Sequence, residues 1–188
     1  MSEQKVFLNI GCGQSHISKT NPYFKDWKEV RADLYRDDVD LKCDLVDMSQ
    51  IADKTFDCVW ASHVVEHQYW HEMPKVFENL MRIIKDDGFV IVKVPDVGAI
   101  ADRIKDGLLE PIPQLYGLAP IDFLYGMRMR VENDPLGEIH KTCFTMKSME
   151  MILGSFGIKA FLSDYNYEIT AVLYKEKVPE SYLNYNRK

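Results

Sequence analysis

A chain of 188 residues, 46% hydrophobic and 28% charged, can build one well-buried core and is short for two. Its formal net charge of −6 argues against a broad grip on nucleic-acid phosphates, which needs clustered Lys and Arg. The opening MSEQKVFLNIGCG carries no signal-peptide pattern and no run long enough for a bilayer. Cys12, Cys43, Cys58 and Cys143 are too dispersed for a zinc knuckle or a disulfide frame, so free thiols in a cytoplasmic protein are expected.

The apolar run Lys5 to Ile10 (KVFLNI) reads as a first strand ending in Gly11-Cys12-Gly13. Glu29 to Leu34 (EVRADL) reads as a weaker second strand carrying Asp33 at its end, and Val39 to Cys43 as a short third followed by Asp44. Phe56 to Ala61 (FDCVWA) and Phe89 to Val94 (FVIVKV) are stronger, the latter closed by Pro95. Such runs, with little polar alternation, suit a parallel sheet buried on both faces. Between these two strands Trp70, Met73, Val76, Phe77, Leu80, Met81 and Ile84 recur at three- and four-residue steps. That spacing predicts an amphipathic helix, with Asp87-Gly88 as its stop. Strand, helix and strand in this order form a right-handed βαβ unit.

From about Asp96 to His140 the pattern changes. Pro111, Pro113, Pro120 and Pro135, several glycines and a scatter of large apolar residues predict short helices and loops over the sheet's active edge. Helical spacing returns from Thr145 to Phe156 (Met149, Ile152, Leu153, Phe156), and Gly157 ends it. Ile158 to Leu162 and Glu168 to Tyr174 read as two closing strands, antiparallel to each other. The Tyr-rich tail after Pro179 is expected to be loosely held.

The chemistry begins where the first strand ends. Glycines there let the backbone turn sharply and admit a ligand without a Cβ in the way. Asp33, about twenty residues on, stands where an acidic side chain can accept both hydroxyls of a ribose. A dinucleotide enzyme would continue as G-x-G-x-x-G, so that a helix amino end meets the pyrophosphate. Here the third position is His16, and Ile17 to Lys28 make a poor helix. This disfavours a nicotinamide dehydrogenase and suits a cofactor with an adenosine but no phosphates.

The strings VFLNIGCG, VRADL, CDLVDM and FDCVWASHVVEH, in that order, resemble the successive motifs of class I S-adenosylmethionine-dependent methyltransferases, most closely the small bacterial type. The likeness is strong over about residues 5 to 94 and looser through IDFLYG, IHKTCFT and SFGI. It implies an α/β, Rossmann-like fold: a mostly parallel seven-stranded sheet with an antiparallel last strand. It also implies one domain over residues 1–188, with a helical lid (96–145) inserted after the fifth strand to cover the substrate. By the same resemblance Asn9, Gly11 and Gly13, with Cys12 between them, line the methionine part of S-adenosylmethionine, and Asp33 holds its ribose. Asp44 and the Leu45 amide meet the adenine, while Ser62 and His63 close over the cofactor. The chain departs from the usual pattern in having no helix predicted ahead of the first strand and a shortened first crossover helix.

His63-Val64-Val65-Glu66-His67 also matches the H-x-x-E-H string of inverted zinc peptidases. That chemistry needs the motif inside a helix, and here it follows a strand directly, so no metal is expected and a zinc hydrolase is the remote reading. Glu66 is read either as a cap for the next turn or as a cofactor contact. His140, in Glu138-Ile139-His140-Lys141, is the first candidate for a general base, because histidine titrates near working pH, and His63 is the second. Tyr125, Arg128 and Arg130 could bind an anionic or sugar-like acceptor, although the same stretch also suits core or homodimer contacts. The expected activity is methyl transfer to a small molecule, such as a sugar or other hydroxylated metabolite, with no nucleic-acid or membrane partner. A non-catalytic S-adenosylmethionine-binding regulatory domain is the alternative.

Overall fold

A computed structural model of the chain describes residues 4–112 and 117–186; Pro113 of the proline-rich segment lies outside them. Among the described residues, seven strands form one sheet: β1 (Val6–Ile10), β2 (Lys28–Asp33), β3 (Leu41–Lys42), β4 (Phe56–Ser62), β5 (Ile84–Pro95), β6 (Lys159–Tyr165) and β7 (Glu168–Tyr174). Their spatial order is β3-β2-β1-β4-β5-β7-β6. The ladders from β3 to β5 are parallel, and β7 runs antiparallel between β5 and β6. This is the Rossmann-like α/β sheet expected from the sequence. The chain moves outward from β1 to β2 and β3, then returns to β1's other side with β4. The switch point therefore lies at the carboxyl ends of β1 and β4, where open α/β sheets bind ligands.

Alternation along the central strands feeds two apolar layers. Leu8, Ile10, Val59, Ala61, Val90 and Val92 face α2 (Met73–Ile83), which buries Met73, Val76, Phe77, Leu80 and Ile83. Phe7, Cys58, Trp60, Phe89 and Ile91 face the other way. On that second face the first crossover is reduced to one helical turn, α1 (Ile17–Thr20), and a 3₁₀ turn at Pro22–Phe24. Aromatic side chains fill the gap: Phe24 packs on Phe7 at 4.6 Å between ring centres, with Tyr23 and Trp27 around it.

Asp87-Gly88 does not terminate the helix, as the turn chemistry suggested. α2 ends at Ile83, and β5 starts at once and carries these residues at a register shift against β4. Gly88 suits that position, since a Cβ would stand 3.0 Å from the Asp57 carbonyl oxygen and press on backbone.

After β5 come α3 (Val97–Lys105), α4 (Pro120–Tyr125) and two single turns, α5 (Arg128–Val131) and α6 (Pro135–Glu138). Asp96 starts α3 by accepting the Gly98 and Ala99 amides. This insertion has its own small core of Ile100, Ile112 and Phe123. The chain rejoins the sheet at Phe144, whose carbonyl accepts the Val97 amide. It then enters α7 (Met146–Ser155), started by a reciprocal Thr145–Ser148 cap.

The tail is ordered, contrary to the sequence expectation. α8 (Glu180–Asn186) lays Tyr182, 3% exposed, against Phe89 and Tyr23 at 5.1 and 5.2 Å between ring centres. It covers apolar surface that a full first crossover helix would otherwise shield. No helix among the described residues is long and apolar enough to cross a membrane.

Candidate functional site: the glycine turn and the β4 exit

Both glycines of the first turn have left-handed backbones, φ +64° at Gly11 and +50° at Gly13, which glycine adopts without the Cβ penalty. Their surroundings differ. A Cβ on Gly11 would lie 2.3 Å from Val64 Cγ2, so the residue after His63 packs directly on bare peptide. A Cβ on Gly13 would meet nothing within 4 Å. The Gly13 amide donates to Asp33 Oδ2 at 2.9 Å, and the Tyr35 amide donates to Oδ1 at 2.9 Å. The carboxylate thus sits against the glycine turn, where among the described residues nothing comes within 4 Å of the point a Gly13 Cβ would occupy.

Two residues that the sequence did not single out hold this turn. Arg31 donates to the carbonyls of Gly13, Ser15 and Asp38, tying the turn to the loop after β2. Glu29 accepts the Ile17 and Ser18 amides, the Ser18 hydroxyl and the Asn9 amide group. Asn9, expected at the cofactor's methionine end, is buried and has its side chain turned to Glu29 and the Ser15 carbonyl. It braces the turn from beneath. Cys12 is also buried, and its amide donates to the Ala32 carbonyl.

Asp44 accepts the Val46 amide at 3.0 Å, and Leu45 is buried with its carbonyl held by Asn79. Burial pushes the Tyr35 phenol up, and the charges of Asp134, Asp44 and Asp33 push it the same way. Tyr35 itself is half exposed, and Asp134 belongs to the insertion.

β4 ends at Ser62, and His63 follows in a left-handed conformation (φ +52°). Its Nε2 lies 2.9 Å from Glu168 Oε2 and its Nδ1 3.3 Å from Glu66 Oε1, while Lys93 also pairs with Glu168. Burial opposes the charged imidazolium, but the Glu168 and Glu66 carboxylates outweigh it and push the pKa up to about 10. The carboxylates facing its two ring nitrogens favour the protonated ring, which weighs against a role for His63 as general base. The peptidase reading fails here too. His63 lies in the turn, residues 65–67 form a 3₁₀ turn, and both ring nitrogens of His63 face carboxylates.

His140 arrives from 74 residues downstream of Glu66. The Glu66 carbonyl accepts the Lys141 and Thr142 amides at 2.8 and 3.0 Å, and the Thr142 hydroxyl donates to the Gln68 carbonyl. This clamp brings the His140 and His67 rings edge to face, 4.9 Å apart. Burial holds the His140 pKa below the usual histidine range, so the ring is neutral at pH 7.

Tyr125, Arg128 and Arg130 are exposed on the insertion. Arg128 pairs with Asp122 at 2.6 Å and Arg130 with Glu138 at 3.7 Å, so both guanidinium groups are engaged within the insertion rather than presented as an anion fork. A surface depression at the opposite, amino edge of the sheet is lined by Pro74, Phe77, Met81, Arg82 and Phe156 and includes none of the predicted site residues.

The strand order, the glycine turn and its carboxylate define an open α/β domain of the kind that binds ligands at its switch point. Residues 8–92 match a family model described as a methyltransferase domain. Similar solved structures include a protein from Pyrococcus horikoshii OT3 (17% identity, TM-score 0.61, covering 92% of this chain and 82% of that one). A SAM-dependent methyltransferase from Archaeoglobus fulgidus shares 14% identity (TM-score 0.57, covering 90% and 86%). The 1,6-didemethyltoxoflavin-N1-methyltransferase of Burkholderia thailandensis, solved with 1,6-didemethyltoxoflavin and S-adenosylhomocysteine, shares 12% (TM-score 0.56, covering 90% and 70%). At these identities the likeness shows the fold alone. No curated protein matches the chain.

Proposed function

We propose that the chain binds S-adenosylmethionine at the carboxyl ends of β1 and β2 and transfers its methyl group to a small-molecule acceptor beneath the 96–145 insertion. The observation that carries this reading is the Asp33 carboxylate held against Gly13, whose open side has room where a Cβ would stand. Each Asp33 oxygen accepts one backbone amide, which leaves lone pairs for the two hydroxyls of a ribose. Asp44 and the Leu45 backbone stand beyond β3, on the side where an adenine would lie. The absence of a full helix after the turn, and of a third glycine, fits a ligand with no pyrophosphate.

S-adenosylmethionine supplies a methyl group on a cationic sulfur. The chain's task is to align an acceptor lone pair with that carbon and to keep water out. Alignment alone contributes up to about 7–11 kcal/mol. The insertion, clamped to the β4 exit through Glu66, Gln68, Lys141 and Thr142, is the wall that holds the acceptor. Structural neighbours named for small-molecule methylation support this substrate class.

Calorimetry with S-adenosylhomocysteine is the direct test. Wild type is expected to bind one equivalent and Asp33→Ala to bind far more weakly; no binding by wild type overturns the proposal. Incubation with methyl-labelled S-adenosylmethionine and a metabolite extract should then produce S-adenosylhomocysteine and a labelled small molecule. Binding without any turnover would instead support the regulatory alternative.

A further inference from the structure

One cluster exceeds what alignment of a cofactor requires. Glu66, His67 and His140 each offer one ligand atom, and these atoms all lie within 4.8 Å of one another. Glu66 is 1% exposed, and neither carboxylate oxygen makes a well-formed hydrogen bond, although His63 Nδ1 lies 3.3 Å from Oε1. His63 offsets part of the cost of burying this carboxylate, and both oxygens keep lone pairs that a cation could take.

The two histidines are set to supply lone pairs. His67 Nδ1 lies 3.1 Å from the Ile139 carbonyl oxygen, and His140 Nδ1 lies 3.0 Å from that of Phe123. A carbonyl can only accept, so each Nδ1 carries a proton, and Nε2 is the ring nitrogen left to offer a lone pair to a metal ion. A backbone carbonyl on the far nitrogen is the usual means of fixing tautomer and ring orientation in metal-binding histidines.

We propose that Glu66, His67 and His140 form a binding site for one divalent transition-metal ion at the β4 exit. Two imidazole nitrogens and one carboxylate oxygen suit zinc and the neighbouring first-row divalent ions. Three protein ligands leave at least one coordination position open. That position belongs to a site two residues beyond Val64, which packs on Gly11. It would take an oxygen of the acceptor, hydroxyl or carboxylate, and fix its placement. This role rests on the methyltransferase reading, whereas ion binding does not. It also revises the sequence expectation of no metal: the H-x-x-E-H string contributes its last two residues, and the third ligand comes from the far side of the insertion.

The test uses the full chain stripped of metal with a chelator. Zinc is titrated by calorimetry, and cobalt(II) by its visible absorption, which reports nitrogen and oxygen coordination. One ion per chain is expected. Affinity should fall by at least about 100-fold in His67→Ala and in His140→Ala, since lost outer-shell partners alone cost up to that much. His71→Ala, an exposed ring stacked on Tyr69, should match wild type. Zinc should raise the melting temperature of wild type and of His71→Ala but not of the two ligand variants, which separates lost coordination from lost folding. No saturable binding, or unchanged affinity in both ligand variants, overturns the site. S-adenosylhomocysteine binding by the stripped wild type is measured alongside. If it persists while zinc fails to bind, the metal site alone falls, and if zinc binds while the nucleoside does not, the site stands and the methyltransferase reading falls.

Discussion

The Gly13 amide donates to Asp33 Oδ2 at 2.9 Å, across twenty residues of sequence and the β1–β2 crossover. One carboxylate thereby ties the turn after β1 to the turn after β2, since its other oxygen accepts the Tyr35 amide. Asp33→Ala is expected to reduce S-adenosylhomocysteine affinity about 10- to 100-fold, the net loss of one hydrogen bond to a charged acceptor at about 1.5–3 kcal/mol. Asp33→Asn, which keeps one acceptor oxygen, should fall between that variant and wild type. Calorimetric dissociation constants decide it, and identical values for all three proteins would remove Asp33 from the site.

The two glycines of the turn should respond differently to alanine. At Gly11 the new methyl meets Val64 at 2.3 Å on top of a left-handed backbone, so strain of about 1–2 kcal/mol adds to overpacking of about 1–3 kcal/mol. At Gly13 only the backbone strain of about 1–2 kcal/mol applies, because the space is open. Urea unfolding should therefore rank Gly11→Ala as the less stable variant, with part of the loss recovered in Gly11→Ala/Val64→Ala. Gly13→Ala should fold well yet bind S-adenosylhomocysteine poorly. Equal stability losses at the two positions would contradict the open face.

Much of the sheet was legible because its strands are buried on both faces and so are written as uninterrupted apolar runs such as KVFLNI and FVIVKV. Asp33 could be found from its spacing after the glycines, a distance set by one short crossover. Glu29 and Arg31 could not, because alternating polar positions in a strand look alike whether they face water or brace a turn. His140 meets Glu66 and His67 only through the clamp made by the Lys141 and Thr142 amides, and no periodicity reports a contact across 70 residues. The pairing of His63 with Glu168 was equally illegible, since the two lie 105 residues apart.

Tyr182 offers a test of the ordered tail. Its ring is 3% exposed and contacts Tyr23 and Phe89, so Tyr182→Ala removes a buried aromatic from the layer over Phe7 and Trp60. A loss of about 3 kcal/mol is expected. It would be seen as a lower urea midpoint with little change in slope, whereas Tyr165→Ala, on an exposed strand end, should stay close to wild type. A midpoint for Tyr182→Ala equal to that of wild type would mean that the tail does not dock in solution.

Glu29 makes the glycine turn acid-sensitive. Burial alone would raise its pKa, but the Ser18 hydroxyl, the Ile17 amide, the Asn9 side chain and the Ser18 amide together hold it below its ordinary value of 4.5. A carboxylate whose folded pKa is depressed contributes its full stability above the unfolded value and loses it as pH falls through the folded one. Wild type should therefore exceed Glu29→Gln by about 1–3 kcal/mol at neutral pH. That difference should start to shrink below about pH 4.5 and go on shrinking as acid protonates the folded carboxylate. Other carboxylates titrate in both proteins, so comparing their urea midpoints across the acid range isolates this one group. A gap that stays constant on acidification would show that Glu29 supports the turn by packing, without its charge.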